Sequence, residues 1–323
     1  MKAIVQDRFG SADVLEFRDI ADPEVGAGEV RVGVDAAGCG PDVWHLMTGL
    51  PLFVRIMPGF RKLKNGVRGR DVSGTVESVG ADVTDLRPGD EVMGIVEGSF
   101  AELGVGRAEL LVRKPARLTF EQAAALPISG LTALQVIRDV ANVQPGQRVL
   151  VIGAGGGVGT LTIQVARAFG AEVTAVCSAT KEELVRSLGA DDVIDYTRED
   201  FTDGSRHWDV IVDTAGRRPL TRLRRALTPK GTVAVVGGEG GGRWTGGFLG
   251  MMFRAPVLSL FSGQRFRSVI SKETREDLEA LAELVDAGEV TPVVGKTYPL
   301  VEAADAVREL ERGHATGKIV VTV

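Results

Sequence analysis

The chain has 323 residues, 44% of them hydrophobic and 25% charged, with a formal net charge of −5. That length suits two domains, the acidic balance argues against nucleic acid as a partner, and the two cysteines, Cys39 and Cys177, exclude a disulfide scaffold and a four-cysteine zinc lobe. No stretch reaches the roughly 20 apolar residues that cross a bilayer, and the opening MKAIVQDRFG carries no apolar leader, so a cytoplasmic protein with no membrane partner is expected.

Residues 1–120 read as strands and turns. Lys2–Gln6, Glu29–Ala36, Asp71–Val79, Asp90–Val96 and Glu109–Val112 are short β-type runs, separated by punctuation such as Arg87-Pro88-Gly89-Asp90. Asp42–Arg70 breaks the pattern: it is apolar and aromatic, then basic, with prolines at 51 and 58. It reads either as a loop or short helix covering a pocket, or as a surface excursion packed on its own domain.

Helices are expected at Phe120–Ala125 and Leu131–Val140, after which strands and helices alternate. Val149–Ile152, Glu172–Cys177, Asp192–Asp195, Asp209–Asp213 and Thr232–Val236 are the strand candidates. Thr160–Phe169, Lys181–Leu188 and Leu220–Leu227 are the helical stretches between them. That alternation is the sequence form of a doubly wound parallel sheet, in which ligands sit beyond the carboxyl ends of the strands. The stretch Arg148–Gly170, RVLVIGAGGGVGTLTIQVARAFG, is the strongest chemical signal. A buried strand turns through glycines into an amphipathic helix, so that backbone N–H groups and the positive helix end face a diphosphate. The Gly237–Gly250 tract, with Trp244, either caps a ligand or packs on a partner subunit. A helix at Arg275–Ala287, a strand at Gly295–Pro299, a helix at Glu302–Arg312 and a strand at Lys318–Val323 close the chain.

The motifs taken together carry a resemblance. Pro88-Gly89-Asp90-Glu91-Val92, Phe120–Pro127 (FEQAAALP), Gly130-Leu131-Thr132-Ala133-Leu134, Gly153–Gly159, Leu188–Tyr196 (LGADDVIDY) and His314–Val323 (HATGKIVVTV) occur in that order. The chain resembles the medium-chain dehydrogenase/reductase superfamily, in its zinc-free quinone oxidoreductase (zeta-crystallin-like) branch. The resemblance implies an α/β fold, with a Rossmann doubly wound sheet at 122–268 and a GroES-like β-rich domain at 1–121 that 269–323 completes. It also implies that cofactor and substrate meet between the two domains, and that the protein is a homodimer, with Phe248–Leu260 as a candidate edge.

Zinc members of the superfamily bind their metal through a cysteine, the histidine of a Gly-His-Glu run, and a later cysteine or acid. The matching positions here are Gly40 (beside Cys39), Arg70 in Gly69-Arg70-Asp71, and Ile128, none of which is a zinc ligand. No zinc is therefore expected. Without a Lewis acid, quinones and conjugated enones or alkenals suit the chemistry better than simple alcohols.

Strand two ends on Cys177, where an NAD enzyme places an acid for the ribose 2′-OH. The resemblance assigns Ser178, Lys181 and Tyr196 to the 2′-phosphate, so NADPH is preferred over NADH. It assigns Ala154, Gly156, Gly157, Val158 and Gly159 to the diphosphate, Thr132 to the nicotinamide or its phosphates, and Gly237 and Gly238 to the nicotinamide side. His45 matches a relay histidine of some alcohol dehydrogenases. It is either a proton relay or cofactor-ribose ligand, or a histidine satisfied by backbone; Asp42 is a weaker candidate. Phe53, Met57, Phe60 and Trp244 are candidates for an apolar acceptor pocket. The expected activity is that of an NADPH-dependent quinone or enone reductase. The alternatives are an enoyl-thioester or other double-bond reductase, for which basic Arg61–Arg70 would receive the thioester's phosphates, and a non-catalytic NADPH-binding sensor or structural subunit.

Overall fold

A computed structural model of the chain describes residues 1–52, 66–216, 218–236, 259 and 263–323. Strands β1 (Lys2–Val5), β2 (Glu16–Asp19) and β3 (Glu29–Cys39) lead into helix α1 (Pro41–Thr48). Then come β4 (Asp71–Val79), β5 (Glu91–Ile95), β6 (Leu103–Arg107), β7 (Leu111–Arg113), α2 (Phe120–Ala124) and α3 (Pro127–Gln135). The middle of the chain holds β8 (Arg148–Ile152), α4 (Gly157–Ala168), β9 (Glu172–Cys177), α5 (Glu182–Ser187), β10 (Asp192–Asp195), β11 (Trp208–Asp213), α6 (Leu220–Leu223), β12 (Leu227–Val235) and β13 (Arg265–Ser268). It ends with α7 (Arg275–Asp286), β14 (Val294–Pro299), α8 (Ala303–Glu311) and β15 (Lys318–Thr322).

Two compact units result. The first is Met1–Leu131, Glu273–Ala287 and Pro292–Val323; the second is Thr132–Lys272 and Gly288–Thr291. The division falls at 131 and 272 rather than at 121 and 268, for local reasons. Ser73 Oγ donates to the Phe120 carbonyl at 2.5 Å and Asp71 Oδ1 accepts the Ile128 N–H at 2.8 Å, tying α2 and the start of α3 to the first unit. Glu273 is held there by a bidentate pair with Arg70, at 2.7 and 2.8 Å.

In the first unit the sheet order is β14-β15-β3-β4-β5-β7, with β6 also pairing β3; β14 and β15 run parallel and the other pairs antiparallel. Val30, Val32 and Val34 alternate inward along β3 and pack with Val72, Val76, Val92, Leu111 and Ile319, the period-2 pattern of a one-face-buried strand. A capping box starts α2: Thr119 Oγ1 accepts the Gln122 N–H, and the Thr119 N–H donates to Gln122 Oε1.

In the second unit all pairs are parallel, in the order β10-β9-β8-β11-β12-β13. By chain position that is 3-2-1-4-5-6, so the winding direction reverses between β8 and β11 and leaves a crevice at their carboxyl ends. Val149, Leu150 and Val151 have no exposed surface, as a central strand covered on both faces requires.

Several elements depart from expectation. The stretch 131–140 is α-helical only to Gln135, and Val136–Val140 widens into a π turn with the Ala141 N–H on the Val136 carbonyl. Strands β2, β6 and β13 were not anticipated: β2 is largely exposed, β6 is interrupted by glycines, and β13 is a four-residue edge strand with two arginines. Only the start of the 42–70 segment lies among the described residues before 53, and it is helix α1.

Candidate functional site

The glycine turn stands at the switch point of the parallel sheet. Gly153 leaves β8 at φ +77, a left-handed conformation that glycine adopts without strain. The turn is fastened to its neighbours: the Gly153 and Ala154 N–H groups both reach the Val176 carbonyl at 3.2 Å, and Thr214 Oγ1 donates to the Ile152 carbonyl at 2.8 Å. A Cβ on Gly159 would lie 2.2 Å from the Gly153 carbonyl oxygen and 2.8 Å from Ala154 Cα. Only glycine lets α4 start this close to the turn. The N-cap, Gly156, supplies no side-chain acceptor, so the first amides of α4, through Gly157, Val158 and Gly159, are left for an anion. These residues fit the diphosphate of a dinucleotide.

The carboxyl ends of β9 and β10 bring together the residues expected at the cofactor's 2′-phosphate. Cys177 is buried, and burial pushes its thiol up to about 11, so it is uncharged at neutral pH. Ser178 Oγ lies 3.0 Å from Thr180 Oγ1. The Lys181 side chain folds across the turn, since a Cβ on Gly155 would lie 2.4 Å from its Cδ. Tyr196 is 47% exposed, and its N–H donates to the Cys177 carbonyl. An Asp or Glu that would oppose a 2′-phosphate is missing at the end of β9. Thr132 is buried on α3, at the first position of the second unit. Asp213, which was not singled out, ends β11 and holds the next turn: its Oδ1 accepts the Ala215 and Gly216 N–H groups.

In the first unit, Pro41 opens α1 and Gly49 ends it at φ 60, with its N–H on the His45 carbonyl. His45 Nδ1 lies 2.7 Å from the Leu50 carbonyl oxygen. A carbonyl only accepts, so Nδ1 carries a hydrogen, and Nε2 has no hydrogen-bond partner among the described residues. The backbone-satisfied reading therefore accounts for one nitrogen and leaves the other able to hold or give a proton. Among the described residues Asp42 Oδ2 is buried without a hydrogen-bond partner, and burial raises the Asp42 carboxyl above its ordinary range. Phe53, Met57, Phe60, Gly237, Gly238 and Trp244, with all of the candidate dimer edge except Ser259, lie outside the described residues.

Where zinc relatives hold their metal, the three positions behave differently here. Gly40 is the N-cap of α1, Arg70 is spent on Glu273, and Ile128 offers its N–H to Asp71. Cys39 is buried and its thiol is pushed up to about 12 by burial. Among the described residues no three His, Cys, Asp or Glu side chains gather as a metal site. A second cation stands here beside Arg70: Lys318, whose Nζ donates to Asp71 Oδ2 at 2.7 Å and to Ser129 Oγ at 3.1 Å. Sequence reasoning missed this pair, because a lysine and an aspartate 247 residues apart carry no local signal.

Burial works against the Lys318 charge, but Asp71 and Asp42 outweigh it, so the ammonium titrates above its ordinary value. Its stabilising contribution is therefore complete below the unfolded pKa of about 10.4 and is lost as pH rises through the folded value. The melting-temperature gap between the wild type and Lys318→Met is expected to be constant at neutral pH and to close only at strongly alkaline pH. A gap that closes near neutrality contradicts the assignment.

Two family models match the chain: an alcohol dehydrogenase GroES-like domain over residues 26–116 and a zinc-binding dehydrogenase domain over 188–321. The mitochondrial NAD(P)H oxidoreductase RTN4IP1 of Mus musculus is 36% identical, over all of this chain and 89% of its own length. The 2-methylene-furan-3-one reductase of Solanum lycopersicum is 33% identical, over 99% of this chain and 79% of its own. The Escherichia coli quinone oxidoreductase, solved in complex with NADPH, superposes with a TM-score of 0.85 at 26% identity, over all of both chains. Among the described residues no helix is long and apolar enough to cross a membrane. With a parallel sheet and glycine turn in one unit, a GroES-like sheet in the other and relatives that match over nearly all of this chain, the chain belongs to the medium-chain dehydrogenase/reductase superfamily, in its quinone oxidoreductase branch.

Proposed function

We propose that the protein is an NADPH-dependent, zinc-independent reductase that acts on quinones or on conjugated enones and alkenals. NADPH supplies a hydride, and the acceptor takes up that hydride and one proton as NADP⁺ leaves. The observation that carries the cofactor half is the acid-free end of β9 beside a glycine turn whose helix has no side-chain cap. In this reading Ala154, Gly156, Gly157, Val158 and Gly159 hold the diphosphate, and Ser178, Lys181 and Tyr196 hold the 2′-phosphate. Thr132, Gly237 and Gly238 serve the nicotinamide side. The NADPH bound to the Escherichia coli relative supports that assignment.

The acceptor half rests on Gly40, Arg70 and Ile128, which carry no donor for zinc. Without a Lewis acid to deprotonate an alcohol, a π system that spreads the incoming charge is favoured. The conjugated ketone named in the tomato relative supports an enone acceptor. His45 takes up a proton from solvent at Nε2 and gives it to the acceptor as the hydride arrives, and Phe53, Met57, Phe60 and Trp244 form the apolar wall. A homodimer remains part of the proposal. The mitochondrial name of the mouse relative weighs against the cytoplasmic expectation.

Fluorescence titration with NADPH and NADH, followed by a panel of quinones, alkenals and enoyl thioesters, tests the proposal. Tighter NADPH binding and turnover with a quinone or alkenal are expected. Turnover only with thioesters favours the double-bond reductase, and tight NADPH binding without turnover favours a sensor. His45→Ala is expected to lower kcat by about 10²-fold while leaving NADPH affinity unchanged. Wild-type kcat in that variant removes His45 as the proton donor.

A further inference from the structure

The first unit contains a buried charge cluster to which the proposed function assigns no part. Lys318, 5% exposed at the start of β15, is clamped on Asp71, which is 0% exposed, and on Ser129. Asp71 in turn accepts the Ile128 N–H. One cation therefore ties β4, the start of α3 and the last strand together.

Gly40 brings in a fourth segment. A Cβ there would lie 2.6 Å from Asp42 Oδ1 and 2.9 Å from Lys318 Nζ, so carboxyl and ammonium crowd the same side of Gly40. The Gly40 backbone, at φ −128 and ψ 177, is open to any residue. Space, not conformation, keeps a side chain out. Asp42 stands in the first turn of α1, three residues before His45 and on the same helix face.

We propose that Lys318 is a positioning residue for proton delivery. Its ammonium draws the Asp42 carboxyl inward, fixing the first turn of α1 and with it the His45 imidazole on that face. The inference rests on the reading of His45 as proton donor.

Two variants separate this role from a structural one. Lys318→Met strands the buried Asp71 charge, whereas Lys318→Met/Asp71→Asn removes that charge and leaves only Asp42 without the Lys318 ammonium. The double variant is expected to recover the melting temperature lost in Lys318→Met. Its kcat should stay about tenfold low with a larger solvent deuterium isotope effect, because Asp42 still lacks its cation. NADPH affinity should match the wild type in both. Gly40→Ala keeps every charge but places a methyl against Asp42 and Lys318, and is expected to show the same fall in kcat and rise in isotope effect. Wild-type kcat and isotope effect in the double variant overturn the inference. If the double variant does not fold, the same values in Gly40→Ala do so. An active wild type with unaffected variants removes this inference alone; a wild type that reduces no acceptor removes the proposed function and the inference with it.

Discussion

Gly159→Ala is expected to weaken NADPH binding more than about 100-fold and to destabilise the protein by about 2–3 kcal/mol. The added methyl meets the Gly153 carbonyl oxygen and Ala154 Cα, which are backbone atoms at the crossing of strand and helix. Neither can swing aside as a side-chain end would, so α4 must retreat from the turn. Its first amides then leave the positions from which they meet a diphosphate. Gly28→Ala is the control, because a Cβ there meets nothing within 4 Å. Thermal denaturation and fluorescence titration of the two variants give the comparison. Undiminished NADPH affinity in Gly159→Ala would show that the diphosphate does not sit on this turn.

Cys177→Asp is expected to move the ratio of kcat/KM for NADPH over NADH by about 10²- to 10³-fold toward NADH. An acid at the end of the second strand of such a sheet bonds the ribose 2′-OH and repels a 2′-phosphate. Two unit charges about 4 Å apart at an effective dielectric of 20 interact by about 4 kcal/mol, and each 1.4 kcal/mol is about tenfold. The wild-type thiol, buried and uncharged at neutral pH, imposes no such repulsion. Kinetics with both cofactors on both proteins measure the swing. An unchanged ratio would place the 2′ position elsewhere.

The second unit was legible because its elements are locally determined. Val149–Ile152 is apolar throughout, Glu172–Cys177 and Asp192–Asp195 fall where expected, and the glycines mark the turn between strand and helix. Elements left open or missed have weak local signals. Helix α1 spans eight residues and opens with Pro41, and β2 is polar enough to pass for a loop. Within the first-unit site, His45 could be named from the resemblance to alcohol dehydrogenases, but not the hydrogen that the Leu50 carbonyl holds on Nδ1. Lys318 looked like a residue of an ordinary terminal strand. Its burial follows from the pairing of β15 with β3, which carries it to Asp71 from the far end of the chain.

Oxidation of NADPH with phenanthrenequinone, followed on protein exhaustively treated with a chelator and verified free of zinc, tests the central claim most directly. Steady turnover at the rate of untreated protein, faster with NADPH than with NADH, is the predicted result. Loss of activity on chelation that added zinc restores, or tight NADPH binding with no oxidation by any quinone or alkenal, would contradict it.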